Sequence, residues 1–144
     1  MTVTHSWTLP ADTTAAAAGR DFVRSALAEY GNSSETSSTS DTADTAAAEA
    51  VEVAAAVTSE LCTNAILHGS PPQSLKLVID REHLRIEVSN SNRVGGTVPK
   101  LATMPIRSDT VGGRGLNLVN VLASTWGTDV NSGSTTVWAV MSRS

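Results

Sequence analysis

The stretch SELCTNAILHGS, residues 59–70, decides how this chain is interpreted, because it sets polar residues at a spacing of four within a helix-forming run. Glu60, Asn64 and His68 fan over roughly 80° of such a helix, at about 100° per residue. Leu61 and Ala65 lie just beside them. The polar row therefore borders the face that we expect to pack on the core.

This row has two interpretations. Polar groups at the edge of a core are costly unless they are paired, so a pocket for a polar ligand or a metal is one account. In the other account, Asn64 and His68 hydrogen-bond to loops near the helix end, and Glu60 reaches water. The helix by itself favours neither interpretation over the other.

The pattern outward from this helix indicates an α+β fold. Strands and helices are mixed without regular βαβ alternation, which favours a two-layer sandwich with helices on one face of a mostly antiparallel sheet. The predicted elements are a strand over 2–9, a helix over 10–31 that Asp12 or Thr13 caps and Gly31 ends, a helix over about 44–68, a hairpin of strands 74–80 and 83–90, a long loop over 91–115, a helix over 115–126 and a closing hairpin over 128–142.

Composition predicts one soluble domain. The 144 residues suffice for a single core, and a Ser/Thr-rich insertion at about 32–47 has too little to bury to become ordered. A net charge of −4 argues against direct nucleic-acid binding. The N-terminus has no signal-peptide pattern, and no long apolar run stands out, so we expect no membrane span and a cytoplasmic location. The single cysteine, Cys62, fits a reducing compartment.

A second motif is the stretch GGRGLNLV, residues 112–119, in which glycines lead directly into a helix. Glycine lets the backbone approach a ligand closely, and the first N–H groups of a helix attract anions. A phosphate is the expected guest. The stretch lacks the lysine of a Walker motif and the strand context of a Rossmann motif.

Together the two motifs resemble those of a known family. ELCTNAILHG looks like the N-box of the Bergerat-fold, histidine-kinase-like ATPases, and GGRGLNLV looks like their second glycine box. The closest resemblance is to single-domain actinobacterial anti-sigma factor serine/threonine kinases. It covers nearly the whole chain, including RIEVSNS and the closing TTVWAVM.

The resemblance implies a site for ATP and Mg²⁺. Asn64 would coordinate the magnesium, and Glu60 would be the general base for the attacking hydroxyl. Gly113, Gly115 and the backbone up to Leu116 would cradle phosphates, with Arg114 supplying positive charge. The role of His68 stays open between ligand contact and packing at the helix end.

Two departures from the family pattern concern the same site. Asn90 stands where the family has an aspartate that accepts a hydrogen bond from the adenine amine, so the charge assistance of that bond is lost. The family ending G-K-T-V-W appears as GSTTVW, without the lysine.

Two functions follow from the resemblance. In the first, the chain is an ATP-binding anti-sigma regulator of transcription, a serine kinase that phosphorylates a STAS-type anti-anti-sigma protein and controls sigma-factor availability by partner switching, as a homodimer. In the second, it is a degenerate, nucleotide-independent binding module for an anti-anti-sigma protein or a sigma factor. Glu60 and Asn64 favour the first function, and Asn90 with the missing lysine favours the second.

Overall fold

The computed structural model describes residues 2–33, 41–68, 70–91, 113–131 and 133–142, with the backbone alone at 31–33, 41–47, 68 and 113–117. These residues form three helices and five strands, in the order β1 (Val3–Leu9), α1 (Ala15–Ser33), α2 (Asp41–His68), β2 (Ser70–Ile79), β3 (His83–Ser91), α3 (Gly113–Leu122), β4 (Thr125–Val130) and β5 (Ser134–Ser142).

The five strands form one open sheet in the order β1-β2-β3-β5-β4, and every neighbouring pair is antiparallel. Alternate residues of the three inner strands are buried, so one face of the sheet carries the core. α1 and α2 pack on this face. The predicted α+β sandwich is therefore confirmed.

The two long helices cross closely because small residues lie at their contact. A Cβ atom added at Gly19 would lie 2.7 Å from the Sγ of Cys62 and 3.1 Å from the Cγ2 of Thr58. Both of these α2 side chains are fully buried. On the exposed side, the Nε and Nη2 of Arg24 each donate to a carboxylate oxygen of Glu52 at 3.1 Å. Glycine at the crossing therefore sets how near the helices approach.

Asp12 shapes the turn that leads into α1, but it does not cap the helix as predicted, because the helix begins at Ala15 and Asp12 bonds to Thr14 before it. Its carboxylate accepts a hydrogen bond from the backbone N–H of Thr14 at 2.8 Å and another from the Thr14 hydroxyl. These bonds lower the pKa of the Asp12 carboxyl below its ordinary value, the hydroxyl contributing most. Trp7 of β1 stacks on Phe22 at 4.9 Å, which joins the edge strand to this helix.

The helices are longer than predicted around the Ser/Thr-rich insertion. α1 continues through Gly31 to Ser33, and α2 begins at Asp41, so the predicted flexible stretch is helical at 32–33 and 41–47. Residues 34–40 lie outside the described residues. Ser and Thr disfavour helix interiors only weakly, and continuity with a packed helix outweighs that preference.

Two other boundaries also differ from the prediction. β2 begins at Ser70, and its ladder with β3 skips the two prolines, which lack the amide hydrogen a ladder needs. α3 ends at Leu122, where a helix to 126 was expected. The backbone N–H of Ser124 instead donates to the carbonyl of Val140 and starts β4. Trp126 is thus a strand residue, and its indole N–H donates to the Oδ1 of Asn120 on α3 at 3.1 Å.

One segment of α2, Ala48–Leu67, is long and apolar enough to cross a membrane by length and composition. The same segment supplies core residues that pack against the sheet, among them Val57, Leu61 and Ala65. Its apolar character is therefore explained by its place as the central helix of the sandwich.

Candidate functional site

The polar row of α2 lies at the edge of the core, as its spacing predicted. Asn64 is 8% exposed, and Glu60, one turn earlier, is half-buried. The Oδ1 of Asn64 is buried and has no hydrogen-bond partner among the described residues. Such an acceptor costs free energy unless a ligand satisfies it, which makes Asn64 a candidate binding position. The side chain of His68 lies outside the described residues.

The neighbouring hydroxyls of α2 find partners nearby. Thr58 donates to the carbonyl of Ala54 at 2.8 Å, and Thr63 donates to the carbonyl of Ser59 at 2.9 Å. The Ser59 hydroxyl also accepts a hydrogen bond from Arg20 of α1 at 2.8 Å. The unpartnered oxygen of Asn64 therefore contrasts with the local pattern of this helix.

Asn90 lies near the end of β3 and is 5% exposed. Its Nδ2 donates to the carbonyl of Ser91 at 3.0 Å. A carbonyl can only accept, so this bond fixes the orientation of the amide and leaves Oδ1 as the atom that can meet a ligand. The side chain at this position is therefore an acceptor, the property that the resemblance requires of it.

The second glycine motif forms the first turn of α3. The helix begins at Gly113, so Gly113, Arg114, Gly115 and Leu116 contribute helical backbone where a loop up to 115 was expected. The first four N–H groups of a helix have no partner within it and carry the positive end of the dipole. This turn can therefore bind a phosphate through its backbone. The side chains of Arg114 and Leu116 lie outside the described residues, and their roles stay predictions.

The topology brings these positions to one end of the sandwich. α2 ends at His68 just before β2 begins at Ser70, and Ser70 pairs with Ser91 at the end of β3. α3 packs against α2, and its last residue leads into the opposite end of the sheet, where Thr125 pairs with Val140. The N-terminus of α3 therefore faces the end that holds Asn64 and Asn90.

The residues present fit a magnesium ion held together with a nucleotide. Mg²⁺ prefers oxygen ligands and keeps several waters, and the buried Oδ1 of Asn64 is such a ligand. Within residues 2–33, 41–68, 70–91, 113–131 and 133–142, no group of three or more His, Cys, Asp and Glu side chains could hold a metal alone. The other ligands would be phosphate oxygens and water.

Sequence reasoning missed two buried polar residues at this end, Gln73 and Thr135. They are 2% and 0% exposed, respectively. Each lies two residues before a run of alternating buried residues, starting at Leu75 in β2 and at Val137 in β5. Extending that alternation by one step would have placed both on the inner face.

A comparison with protein families agrees with this geometry. The model of the histidine kinase-like ATPase domain matches residues 9–141, which is nearly the whole chain. A search of curated proteins finds no match. The chain therefore belongs to the histidine kinase-like ATPase family, and membership implies that it binds ATP, usually with Mg²⁺.

Proposed function

We propose that this protein is a cytoplasmic, ATP-dependent serine kinase that acts on an anti-anti-sigma protein of the STAS type and controls sigma-factor availability by partner switching. The observation that carries the proposal is the buried, unpartnered Oδ1 of Asn64 one helical turn after Glu60. A docking surface has no need of a buried acceptor next to a half-buried carboxylate. A phosphotransfer site needs both.

Each residue has a distinct task in this proposal. Asn64 and the nucleotide phosphates would hold Mg²⁺, which neutralises charge on the transferring phosphoryl group. The first turn of α3 binds the phosphates through backbone N–H groups, and Asn90 accepts a hydrogen bond from the base. Glu60 is open enough to solvent to meet a side chain of another protein.

The transfer step follows from these positions. The hydroxyl oxygen of the partner's serine attacks the γ-phosphorus of ATP while its proton passes to the carboxylate of Glu60. The bond from the γ-phosphorus to the bridging oxygen breaks, and ADP leaves. The products are a phosphoserine on the partner, ADP and a proton. The added charge on the partner would then alter its affinity for this protein, which is the basis of a partner switch.

The test is calorimetric titration of the protein with ATP and Mg²⁺. We expect binding that Asn64→Ala weakens at least tenfold, since the variant removes the one side-chain oxygen assigned to the metal, and a tenfold loss is about 1.4 kcal/mol. Thr63→Ala is the matched control, because this exposed neighbour bonds only to its own helix. Glu60→Gln should keep nucleotide affinity and lose transfer of the γ-phosphate to STAS-type proteins of the same organism.

The second candidate is a nucleotide-independent binding module for an anti-anti-sigma protein or a sigma factor. The neutral Asn90 favours it, because an amide accepts a weaker hydrogen bond than a carboxylate does. The absent lysine of the closing motif, GSTTVW, favours it as well. If millimolar ATP with Mg²⁺ gives neither heat nor thermal stabilisation, the kinase proposal fails and this module becomes the better account.

The oligomeric state belongs to the same proposal. We infer a homodimer from the resemblance alone, and sedimentation of the protein with and without nucleotide tests it.

A further inference from the structure

A row of buried polar side chains crosses the sheet at the end that holds the site. Gln73 of β2 pairs with Asn90 of β3, and Asn90 pairs with Thr135 of β5. The three are 2%, 5% and 0% exposed. The next row into the core, Leu75, Val88 and Val137, is entirely apolar. On these three strands the polar row therefore marks the end of the apolar core, whereas Leu9 of β1, which pairs with Gln73, still belongs to the core.

Gln73 has no described partner for its acceptor atom. Its Oε1 is buried and makes no hydrogen bond within the described residues. Leaving a buried acceptor unpaired costs about 1–3 kcal/mol, and native structures contain few such groups. A leucine or methionine would fill this position without that cost. A ligand that donates a hydrogen bond explains why a glutamine is present.

The adjacent amide of Asn90 offers the same chemistry. The Oδ1 of Asn90 is the acceptor that its hydrogen bond to Ser91 leaves available. Directly paired residues on one face of an antiparallel sheet have Cβ atoms about 4.5–5.5 Å apart. One small group can therefore meet both amide oxygens. A group with two N–H donors on one atom, such as an amine on a ring, matches two acceptors side by side.

We propose that Gln73 reads the base of the bound nucleotide, its Oε1 accepting a hydrogen bond from the exocyclic amine of adenine alongside the Oδ1 of Asn90. This inference rests on the proposed function, because it requires a nucleotide whose base reaches Asn90. Hypoxanthine has a carbonyl at the same ring position. Its oxygen would face the Oε1 of Gln73 and the Oδ1 of Asn90, and because all three atoms are acceptors, the site should bind this base less tightly. The glutamine thus supplies a second acceptor at a site where the family's charged one is absent.

The test compares ADP with inosine diphosphate, which differ at this ring position, each titrated with Mg²⁺ by calorimetry. The wild-type protein should prefer ADP. Gln73→Met keeps the length of the side chain and removes the acceptor, so ADP affinity should fall about threefold to tenfold, the range for one neutral hydrogen bond, while inosine diphosphate affinity does not fall. Without nucleotide, the variant should unfold at the same temperature or a higher one, because no unpaired acceptor stays buried.

Thr128→Val is the matched control. The Oγ1 of Thr128 is also buried and has no partner among the described residues, but Thr128 pairs with Val137, one row away from Gln73 and Asn90. Its replacement should leave the preference for ADP unchanged.

The outcomes separate the two proposals. If the wild-type protein binds ADP and Gln73→Met keeps the full preference, the inference is wrong while nucleotide binding stands. A wild-type preference for inosine diphosphate also overturns it. A Gln73→Met variant that unfolds at a lower temperature and loses both nucleotides equally would give Gln73 a packing role. If the wild-type protein binds neither nucleotide, the proposed function fails, and this inference fails with it.

Discussion

At the scale of single residues, Cys62 shows how burial governs chemistry in this protein. Its thiol is fully enclosed between α1 and α2, and burial raises its pKa to about 12, an effect that the nearby charge of Arg20 only partly opposes. The thiolate is the reactive form, so at pH 8 almost none of this thiol is in its reactive form. Cys62 is therefore a packing residue.

This predicts that Ellman's reagent at pH 8 labels the folded protein only as fast as it unfolds, and labels it at once in guanidinium. A Cys62→Ala, Thr63→Cys double variant moves the thiol to the exposed neighbouring position and should react immediately. Rapid labelling of the wild-type thiol under native conditions would contradict the enclosed position.

Residue-scale prediction from the sequence was partly successful. The spacing of Glu60 and Asn64 correctly predicted a row at the border of the core, because helical periodicity depends only on local sequence. Gln73 was overlooked because the predicted strand began at Ser74, although the alternation of β2 places Gln73 on the inner face. Its pairing with Asn90, in contrast, depends on the register with β3. Register is a non-local property, and a single sequence does not state it.

At the scale of elements, the crossing of α1 and α2 depends on Gly19. Gly19→Ala adds a Cβ within 2.7 Å of the buried Sγ of Cys62, and overpacking of this kind costs about 1–3 kcal/mol. Alanine favours a helix interior over glycine by up to about 1 kcal/mol, which offsets only part of that cost. We therefore expect Gly19→Ala to lower the midpoint of urea denaturation. In a Cys62→Ala background the 2.7 Å contact disappears and only the 3.1 Å approach to the Cγ2 of Thr58 stays, so the same substitution should be less destabilising.

Gly133→Ala is the control for this experiment. A Cβ at that turn position meets nothing within 4 Å. Its effect on stability should be small and the same in both backgrounds. If Gly19→Ala is equally destabilising with and without Cys62, the contact between the helices is not the cause.

The element boundaries show which signals are local. The turn between β2 and β3 lies at 80–82, around the predicted Arg81 and Glu82, and the last turn lies between Val130 and Ser134, where the sequence placed it. The ends of α1, α2 and α3 were less accurate, because tertiary packing and strand pairing decide them. Trp126 illustrates this, since pairing with β5 draws it out of a helix-like run and into β4.

At the scale of the whole molecule, we expect acidification to lower the free energy of unfolding. The side-chain hydrogen bond from Arg24 lowers the pKa of Glu52 below its ordinary value of 4.5, and bonds from Thr14 lower that of Asp12 below 3.8. Both carboxyls bind protons more readily in the unfolded chain. Their contribution is therefore complete above about pH 4.5 and is lost as the pH falls through the lower, folded values.

Urea denaturation from pH 7 to pH 3 tests this expectation. The wild-type midpoint should fall on acidification, and Glu52→Gln should lower the midpoint at pH 7 more than at pH 3, because the unfolded chain protonates Glu52 first and the benefit of the folded ion pair shrinks as the pH falls. Added salt should shrink the difference, because the pair is exposed. Glu82→Gln, on the turn between β2 and β3, is the control. A Glu52→Gln effect that grows on acidification would reverse the sign and refute the account.

The overall architecture followed from the sequence more fully than the details did. Mixed strand and helix periods without regular alternation predicted the layers, and two motifs at the right distance predicted membership of the histidine-kinase-like ATPases, which the domain comparison confirms. The order of the strands in the sheet was not predicted. β5 lies between β3 and β4, and this position depends on pairing between strands that are distant in the chain.

The hydrogen bond between Trp126 and Asn120 gives this protein a built-in optical reporter. Indole fluorescence responds to local polarity, and this indole joins β4 to α3, the helix whose first turn we assign to the phosphates. A shift of that helix on ligand binding would change the emission of Trp126 without any added dye. With Trp7 and Trp138 replaced by phenylalanine, the protein could be followed in real time as its site fills and empties.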